Sequence, residues 1–222
     1  DNVAPQMHGT VASILVGETC GVAPSAILHY WAEPSWEGDY RYRCEALQQI
    51  IDFNKDKDVS DRIRVVSVSK GFSPDEPNLM KWEALLNRAD ESGIFVAHCS
   101  MNMSGAGCKM LTDRNREDNY EIWTHLRGRD IDESGTLFVP VDNRTTSSYL
   151  ADDAYIFWSK GGLSWGAPYV AGVVALGIQV DPSLTNQEIS QLLYETGSDF
   201  FGGKLINPSG FIESIKKKLT SE

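Results

Sequence analysis

Short apolar runs typical of buried strands alternate along the chain with longer amphipathic stretches typical of helices. The pattern predicts strands over residues 26–32, 63–69, 94–100 and 136–142. It predicts helices over residues 11–16, 44–55, 79–93 and 186–197, and an apolar helix that ends the stretch GGLSWGAPYVAGVVAL at 161–176. Strands that alternate with helices predict an α/β fold of three layers, in which helices cover both faces of a mainly parallel β-sheet.

The segment from Met101 to about Gly135 is polar and charged without a clear period, and we expect a long surface excursion there. No internal repeat or low-complexity linker interrupts the chain, and 222 residues suit one domain with its own core, spanning residues 1–222. In a parallel sheet, functional residues collect at the carboxyl ends of the strands. We therefore expect the functional residues of this protein at those ends.

Composition and charge exclude several kinds of partner. Hydrophobic residues make up 41% of the chain and charged residues 23%, the mix of a globular protein. The formal net charge of −11 argues against nucleic acid or an anionic membrane as the main partner. No apolar run is long enough to predict a membrane span. The chain starts at Asp1 without an initiator Met, so we expect any leader to be missing already, and no signal peptide is visible.

The cysteines do not decide the compartment. Cys20, Cys44, Cys99 and Cys108 contain no CxxC pair, which argues against a zinc ribbon. Two disulfides in an exported protein and four free thiols in a reduced one are both compatible with this spacing.

Ser164 stands at the start of the apolar helix, after two glycines. An isolated serine in this position is most often an N-cap, because its hydroxyl accepts a hydrogen bond from the first helical turn. Pro168 fits that first turn. Small residues follow at a spacing that lets the helix lie close to its neighbours, namely Ala167, Ala171, Gly172 and Ala175. A hydroxyl that is held rigidly at the positive end of such a closely packed helix is also suited to act as a nucleophile.

A serine nucleophile needs a base, and four histidines are available. His8 is followed by Gly9 and by a small-residue apolar helix, so it lies at the mouth of a buried element. His98 ends a predicted strand and ranks second. His29 lies within a predicted strand, and nothing near His125 suggests chemistry. We therefore interpret His8 as the candidate base.

Five segments of the chain resemble, in family order, segments of the subtilisin-like serine proteases, the subtilases. Gly162 to Gly172 is similar to the serine motif Gly-Thr-Ser-x-Ala-x-Pro-x-Val-Ala-Gly, with Leu163 in place of Thr and Gly166 in place of Ala. His8 to Ser13 is similar to the histidine motif His-Gly-Thr-x-Val-Ala-Gly. The other three are GVAPSA at 21–26, SVSKG at 67–71 and LINP at 205–208.

The resemblance implies a subtilisin-like fold and a serine endopeptidase, with a peptide or protein as its substrate. Ser164 would attack the peptide carbonyl and His8 would take its proton. An extended substrate would pair with the backbone at Ser67, Ser69 and Gly71. The nearest side chain for the oxyanion is Asn102, about one residue out of register with the family's asparagine.

Calcium binding and export are expected only from the resemblance, because the residues themselves do not predict either. Family members often bind calcium and many are exported, but the residues here define no metal site and no cofactor. Asp152–Asp153 and Asp142–Asn143 offer oxygen ligands, although paired acids in loops are usually only solvated.

The largest departure from the family is that this chain lacks a candidate for the acid of the triad. The subtilase order is Asp, His, Ser, and only seven residues precede His8, with Asp1 too close to serve. We therefore expect the Asp-bearing strand to come from outside this chain, for example from a cleaved N-terminal companion chain. The loss of that strand would leave edges of its neighbours exposed.

Two alternatives compete with the endopeptidase. A degenerate subtilase that binds peptides or a partner without cutting them is favoured by the missing acid and opposed by the His8 and Ser164 pair. A generic α/β-hydrolase is disfavoured, because GGLSWG does not fit its Gly-x-Ser-x-Gly elbow and no histidine follows Ser164.

Overall fold

The structure is a computed structural model that describes residues 7–34, 38–71, 73–108, 122–127 and 135–221. A 3₁₀ turn at Met7–Val11 leads into the first helix. The α-helices of the described residues are α1 (Ala12–Val16), α2 (Arg41–Lys55), α3 (Leu79–Glu91), α4 (Leu163–Val180), α5 (Asn186–Glu195) and α6 (Pro208–Ser221).

The described strands form three sheets. The strands are β1 (Val65–Val68), β2 (Phe95–His98), β3 (Met103–Cys108), β4 (Ile122–Arg127), β5 (Leu137–Pro140), β6 (Arg144–Ser147), β7 (Tyr155–Trp158), β8 (Ser198–Phe200) and β9 (Gly203–Leu205). The sheets are the pair β1–β2, a five-stranded sheet in the order β4-β3-β5-β9-β8, and the hairpin β6–β7. β1 and β2 form a parallel pair, and β3, β5 and β9 are parallel neighbours. Three pairs are antiparallel: β4 with β3, β8 with β9, and β6 with β7.

Helices cover both faces of the β1–β2 pair. Successive side chains of a strand point to opposite faces. On β2, Phe95 and Ala97 join a core cluster with α4, whereas Val96 packs in a second cluster with α2 and α3. This arrangement confirms the predicted α/β fold of sheet strands between two helical layers.

Small residues let α4 lie close to its neighbours, as the sequence predicted. A Cβ atom on Gly172 would lie 2.6 Å from the Cβ of Val22, and one on Gly177 would lie 2.5 Å from the ring of Phe211. Among the described helices, α4 alone has the length and apolar composition that could cross a membrane, and 56% of that window is buried inside the protein. A buried core helix of a globular protein has the same composition.

The predicted helices are confirmed, with small shifts at their ends. α2 begins three residues before the predicted start at Cys44, and α3 ends near Gly93, which has the positive φ of a helix stop. Thr185 forms a capping box with Glu188 at the start of α5. Apolar periodicity locates these helices because each buries one face against the sheet.

The prediction of a surface excursion over residues 101–135 was wrong where β3 lies. All six residues of β3, MSGAGC, are buried, and the strand pairs with both β4 and β5. Gly, Ala and Ser carry little apolar surface, so periodicity does not detect a strand built from them. Residues 109–121 and 128–134 lie outside the described residues.

The prediction of a strand at residues 26–32 was also wrong in this structure. Residues 27–34 run without helix, strand, turn or bend, and most of them are exposed. Their composition suits a strand, but a strand needs a hydrogen-bonded neighbour, and no described strand lies beside them.

All four cysteines are described and all are free thiols, with Cys44 and Cys108 buried. Of the two alternatives that the spacing left open, the structure therefore has the reduced one.

Candidate functional site

His8 and Ser164 line one cleft of about 1880 Å³, which runs along β1 and past its carboxyl end. The cleft is also bounded by the predicted substrate residues Ser67, Ser69 and Gly71. The structure therefore brings together five of the six residues that the sequence singled out.

Ser164 is the second residue of α4 rather than its N-cap. Gly162 occupies the N-cap position with an extended backbone at φ −163°. The backbone N–H of Ser164 lies in the first turn, where a helix offers no internal acceptor. The half-buried side chain thus stands beside the positive end of an 18-residue helix.

Ser164 and Ser69 exchange two hydrogen bonds. The Ser69 hydroxyl donates to the Ser164 carbonyl at 2.8 Å, and the Ser164 hydroxyl donates to the Ser69 carbonyl at 3.1 Å. In a regular helix the residue four positions on would donate to the Ser164 carbonyl. That residue is Pro168, which has no N–H. The hydroxyl of Ser69 supplies the bond that Pro168 cannot make.

We expect Ser69→Ala to destabilise the protein by about 1–2 kcal/mol, because the Ser164 carbonyl loses its donor. In a Pro168→Ala background the new N–H can donate to that carbonyl, so the same substitution should cost about 1 kcal/mol less. Urea unfolding of the four proteins measures the coupling. Ser67→Ala, two residues earlier, in β1, is the control. Equal costs in both backgrounds would contradict the assignment.

Cys99 is a site residue that the sequence analysis did not select. β1 and β2 are in register with Val68 opposite His98, so the next residue after each strand, Ser69 and Cys99, lies beside the other. Both form a hydrogen bond with Ser164. Burial raises the pKa of the Cys99 thiol to about 11, against a smaller lowering by a hydrogen bond with the Ser164 side chain. The thiol is therefore neutral near pH 7. The register of two parallel strands was the signal that could have found it.

His8 lies in the 3₁₀ turn before α1, with its side chain exposed. Its ring centroid is 6.3 Å from that of Trp165, which in turn meets Trp158 edge to face at 5.5 Å. Trp165 is 8% exposed, in agreement with a packing role. The Ser164 hydroxyl is bonded to Ser69, and the described residues give no hydrogen-bond partner to the His8 ring.

A buried carboxylate fixes the turn that presents Ser164. Asp142, 6% exposed, accepts hydrogen bonds from the Gly161 N–H at 2.8 Å and the Cys108 N–H at 3.3 Å. Gly161 lies very close to Val141, the residue after β5. A Cβ atom on Gly161 would be 1.9 Å from the Val141 carbonyl oxygen. Asp142 therefore ties the start of α4 to the end of β5.

Asn102, the predicted oxyanion donor, has other partners in the structure. Its amide donates to the Gly135 carbonyl at 2.8 Å and accepts from the Thr136 hydroxyl at 3.3 Å. The residue is exposed and does not line the cleft that contains His8 and Ser164. Its role in the site stays a prediction from the resemblance.

His98, the second-ranked histidine, is held neutral. Burial lowers its pKa to about 4, and its Nδ1 accepts a hydrogen bond from the Ser100 N–H at 3.2 Å. An imidazole with this pKa is a poor proton acceptor near pH 7. His98 therefore supports the end of β2 rather than the chemistry.

The lowered pKa of His98 predicts a pH dependence of stability. Between about pH 6.5 and pH 4 the unfolded histidine binds a proton that the folded one does not, so the free energy of unfolding should fall as the pH falls, by up to about 3 kcal/mol. His98→Gln should flatten the curve over this range, and the exposed His29→Gln is the control. Urea unfolding at several pH values measures it. An unchanged slope in His98→Gln would contradict the prediction.

Within the described part of the chain, no three His, Cys, Asp or Glu side chains come together as a metal site requires. The Asp142 carboxylate is engaged by backbone N–H groups. Calcium binding stays an expectation from the resemblance.

Comparison with solved structures identifies the fold as that of the subtilisin-like proteases. A cold-adapted subtilisin-like serine proteinase is similar with a TM-score of 0.61 and 20% sequence identity, over 89% of this chain and 73% of that one. At this identity the likeness concerns the fold. It confirms the subtilisin-like architecture that the motifs implied.

Two further structures match over more of the chain. The self-cleaved protease domain of PatA has a TM-score of 0.64 and 16% identity, over 98% of this chain and 87% of that one. The A-subunit of the AB5 toxin from E. coli has a TM-score of 0.63 and 15% identity, over 94% and 78%. No protein-family model matches the chain. No curated protein matches it either.

Proposed function

We propose that this protein is a serine endopeptidase, with Ser164 as nucleophile and His8 as general base. The observation that carries the proposal is the position of Ser164 in the first turn of α4, at the edge of a cleft that His8 also lines. Folding alone does not call for an exposed histidine and a half-buried serine facing one cavity at the carboxyl end of a parallel strand.

The reaction would proceed through an acyl-enzyme. The Ser164 oxygen adds to the peptide carbonyl carbon while His8 accepts the hydroxyl proton. When the tetrahedral intermediate collapses, the C–N bond breaks and His8 returns the proton to the leaving amine. Water then repeats the sequence on the ester and releases the acid. In this structure the Ser164 hydroxyl donates to Ser69, so it would rotate toward His8 before attack.

Two features of the site would stabilise the oxyanion. The Ser164 N–H lies in the first turn of α4, and the positive end of that helix faces the same region. A substrate strand would add to the backbone at Ser67, near the end of β1, and at Ser69 and Gly71, which follow it. Cys99, which lies beside Ser164 and is neutral because burial raises its pKa, would not compete with Ser164 as a nucleophile.

The acid that orients His8 would come from a segment outside the described residues. Loss of the corresponding aspartate in subtilisin costs roughly 10⁴ in rate, so a chain without it would turn over slowly. The His8 side chain is exposed at the cleft and open to such a partner.

A second candidate function is peptide or partner binding without cleavage. The observation that favours it is the hydrogen bond of the Ser164 hydroxyl to the Ser69 carbonyl, which leaves the nucleophile unpaired with its base. This function would use the same cleft and backbone.

Labelling with a fluorophosphonate, which reacts with activated serines, separates the two functions. We expect adduct mass on Ser164 in the purified protein, with intact mass recorded for every chain present, and none in Ser164→Ala. Labelling restricted to Ser164 supports the endopeptidase. The absence of labelling in a folded sample, including one supplied with the acid-bearing segment, would overturn it in favour of the binding function.

A further inference from the structure

The Ser164 hydroxyl lies against the two chain segments that follow β1 and β2. It donates to the Ser69 carbonyl at 3.1 Å, and it also forms a hydrogen bond with the Cys99 thiol. Ser69 is the first residue after β1, and Cys99 is the first residue after β2. A carbonyl carbon that reaches the Ser164 oxygen must therefore lie next to both segments.

The substrate residue that supplies this carbonyl, here called the acyl-side residue, has a side chain that must fit beside the same two segments. Its Cβ atom is two bonds from the attacked carbon, a distance of about 2.5 Å. A substrate strand that pairs with the backbone at Ser69 and Gly71 brings this residue to Ser164, because Ser164 is bonded to Ser69. The width of the space between the segments therefore limits the size of the side chain.

The two segments approach each other closely at Gly71 and Ser100. A Cβ atom on Gly71 would lie 3.5 Å from the Ser100 Oγ and 4.0 Å from the Cys99 Cβ. Since a Cβ lies about 1.5 Å from its Cα, the Gly71 Cα is within about 5 Å of the Ser100 Oγ. A carbon atom between two walls needs about 3.5–4.0 Å to each of them, and thus about 7–8 Å between the walls. The space is too narrow for a side chain.

The cleft does not continue between these two segments. Gly71 and Ser164 line it, whereas Cys99 and Ser100 do not. Its volume of about 1880 Å³ runs along β1 and past the end of that strand. A large acyl-side side chain that points toward the end of β2 therefore has no cavity to enter.

Hydrogen bonds hold both walls of this narrow space. The Ser100 N–H donates to the His98 ring at 3.2 Å, and the Met101 N–H donates to the His98 carbonyl at 3.1 Å. On the other side, the Gly71 carbonyl accepts a hydrogen bond at 3.5 Å from Arg43, which is buried. The walls can separate only if some of these bonds are lost.

We propose that this protein cleaves peptide bonds after glycine or alanine, because Gly71 and Ser100 close the space beside Ser164 to larger side chains. This specificity rests on the proposed function and names its substrate class. A hydrogen atom or a methyl group fits in front of the two walls, whereas a branched or aromatic side chain would have to displace one of them. A change of one methylene in a pocket alters the rate by about 10–200-fold.

Peptide diphenyl phosphonates test this specificity without the need for turnover. The Ser164 oxygen bonds to their phosphorus and phenol leaves, so intact mass measures the rate of labelling. Four probes share an acetyl-Ala-Ala extension and differ only in the acyl-side residue, which is the analogue of glycine, alanine, valine or phenylalanine. We expect the glycine and alanine probes to label Ser164 at least about tenfold faster than the phenylalanine probe.

Ser100→Gly tests whether the wall itself sets the specificity. We expect the ratio of the phenylalanine to the alanine labelling rate to rise at least about tenfold in this variant. Differences in the intrinsic reactivity of the probes cancel, because the same two probes are compared in both proteins. Ser92→Gly is the matched control, since Ser92 is an exposed serine at the end of α3. It should leave the ratio as it is in the original protein.

Gly71→Ala narrows the space from the other side. Its Cβ would make an ordinary contact with the Ser100 Oγ at 3.5 Å, so the variant should fold. We expect the labelling rate of the alanine probe to fall relative to that of the glycine probe. Thermal unfolding shows whether each variant is folded.

The outcomes separate this specificity from the proposed function. Equal labelling by the four probes, or an unchanged phenylalanine-to-alanine ratio in folded Ser100→Gly, would overturn the specificity and leave the endopeptidase in place. The absence of labelling by these probes and by a fluorophosphonate, in a folded sample supplied with the acid-bearing segment, would overturn both.

Discussion

Replacement of His8 by alanine is expected to lower kcat for a peptide substrate by about 10⁶-fold in a preparation that contains the acid-bearing segment and labels at Ser164, because the serine hydroxyl then has no base. Labelling of Ser164 should slow as well, since the fluorophosphonate also requires an activated hydroxyl. Steady-state hydrolysis of a chromogenic peptide, with the concentration of active sites determined by titration, measures the change.

The exposed histidine His29 provides the matched control. It lines the same cleft but packs on Phe53 with ring centroids 5.3 Å apart, away from Ser164. His29→Ala should retain most of the activity. A small effect of His8→Ala together with a large effect of His29→Ala would remove His8 from its role as base.

Gly161→Ala is expected to destabilise the protein by about 2–4 kcal/mol and to suppress labelling of Ser164. The new Cβ would overlap the Val141 carbonyl oxygen at 1.9 Å. Relief of that contact requires the turn to move away from β5, which would break the bond from Gly161 to Asp142 and displace the first turn of α4. Thermal unfolding and the labelling rate measure the two effects.

The neighbouring glycine is the control for Gly161→Ala. A Cβ on Gly162 meets nothing within 4 Å, and its φ of −163° is accessible to any residue. Gly162→Ala should cost less than about 1 kcal/mol, the usual difference at an N-cap. If the two variants were equally stable, the contact with Val141 would not control the turn.

Much of the fold could be predicted because large apolar side chains recur at a regular spacing. The helices from Arg41 to Lys55 and from Leu79 to Glu91 bury one face each, and that periodicity is visible in the sequence. β3 was not predicted because residues such as Gly105 and Ala106 have little hydrophobic surface of their own. They are buried because the neighbouring elements pack over them.

The sequence could predict which residues would gather at the cleft but not the contacts between them. His8, Ser164 and Ser69 follow from short motifs, and the structure places all three on one cleft. The bonds between Ser69 and Ser164 join residues 95 positions apart, and no local pattern encodes a contact at that separation. The neighbouring Cys99 depends in the same way on the register of β1 with β2.

The hydroxyl that substitutes for the missing N–H of Pro168 has a consequence for the order of folding. A helix with only local bonds can form early, whereas α4 completes its first turn only when Ser69 arrives from β1. A nascent or partly unfolded chain would therefore carry a serine without its final geometry. Under the proposed function, the nucleophile would therefore reach its final geometry only after the sheet has assembled.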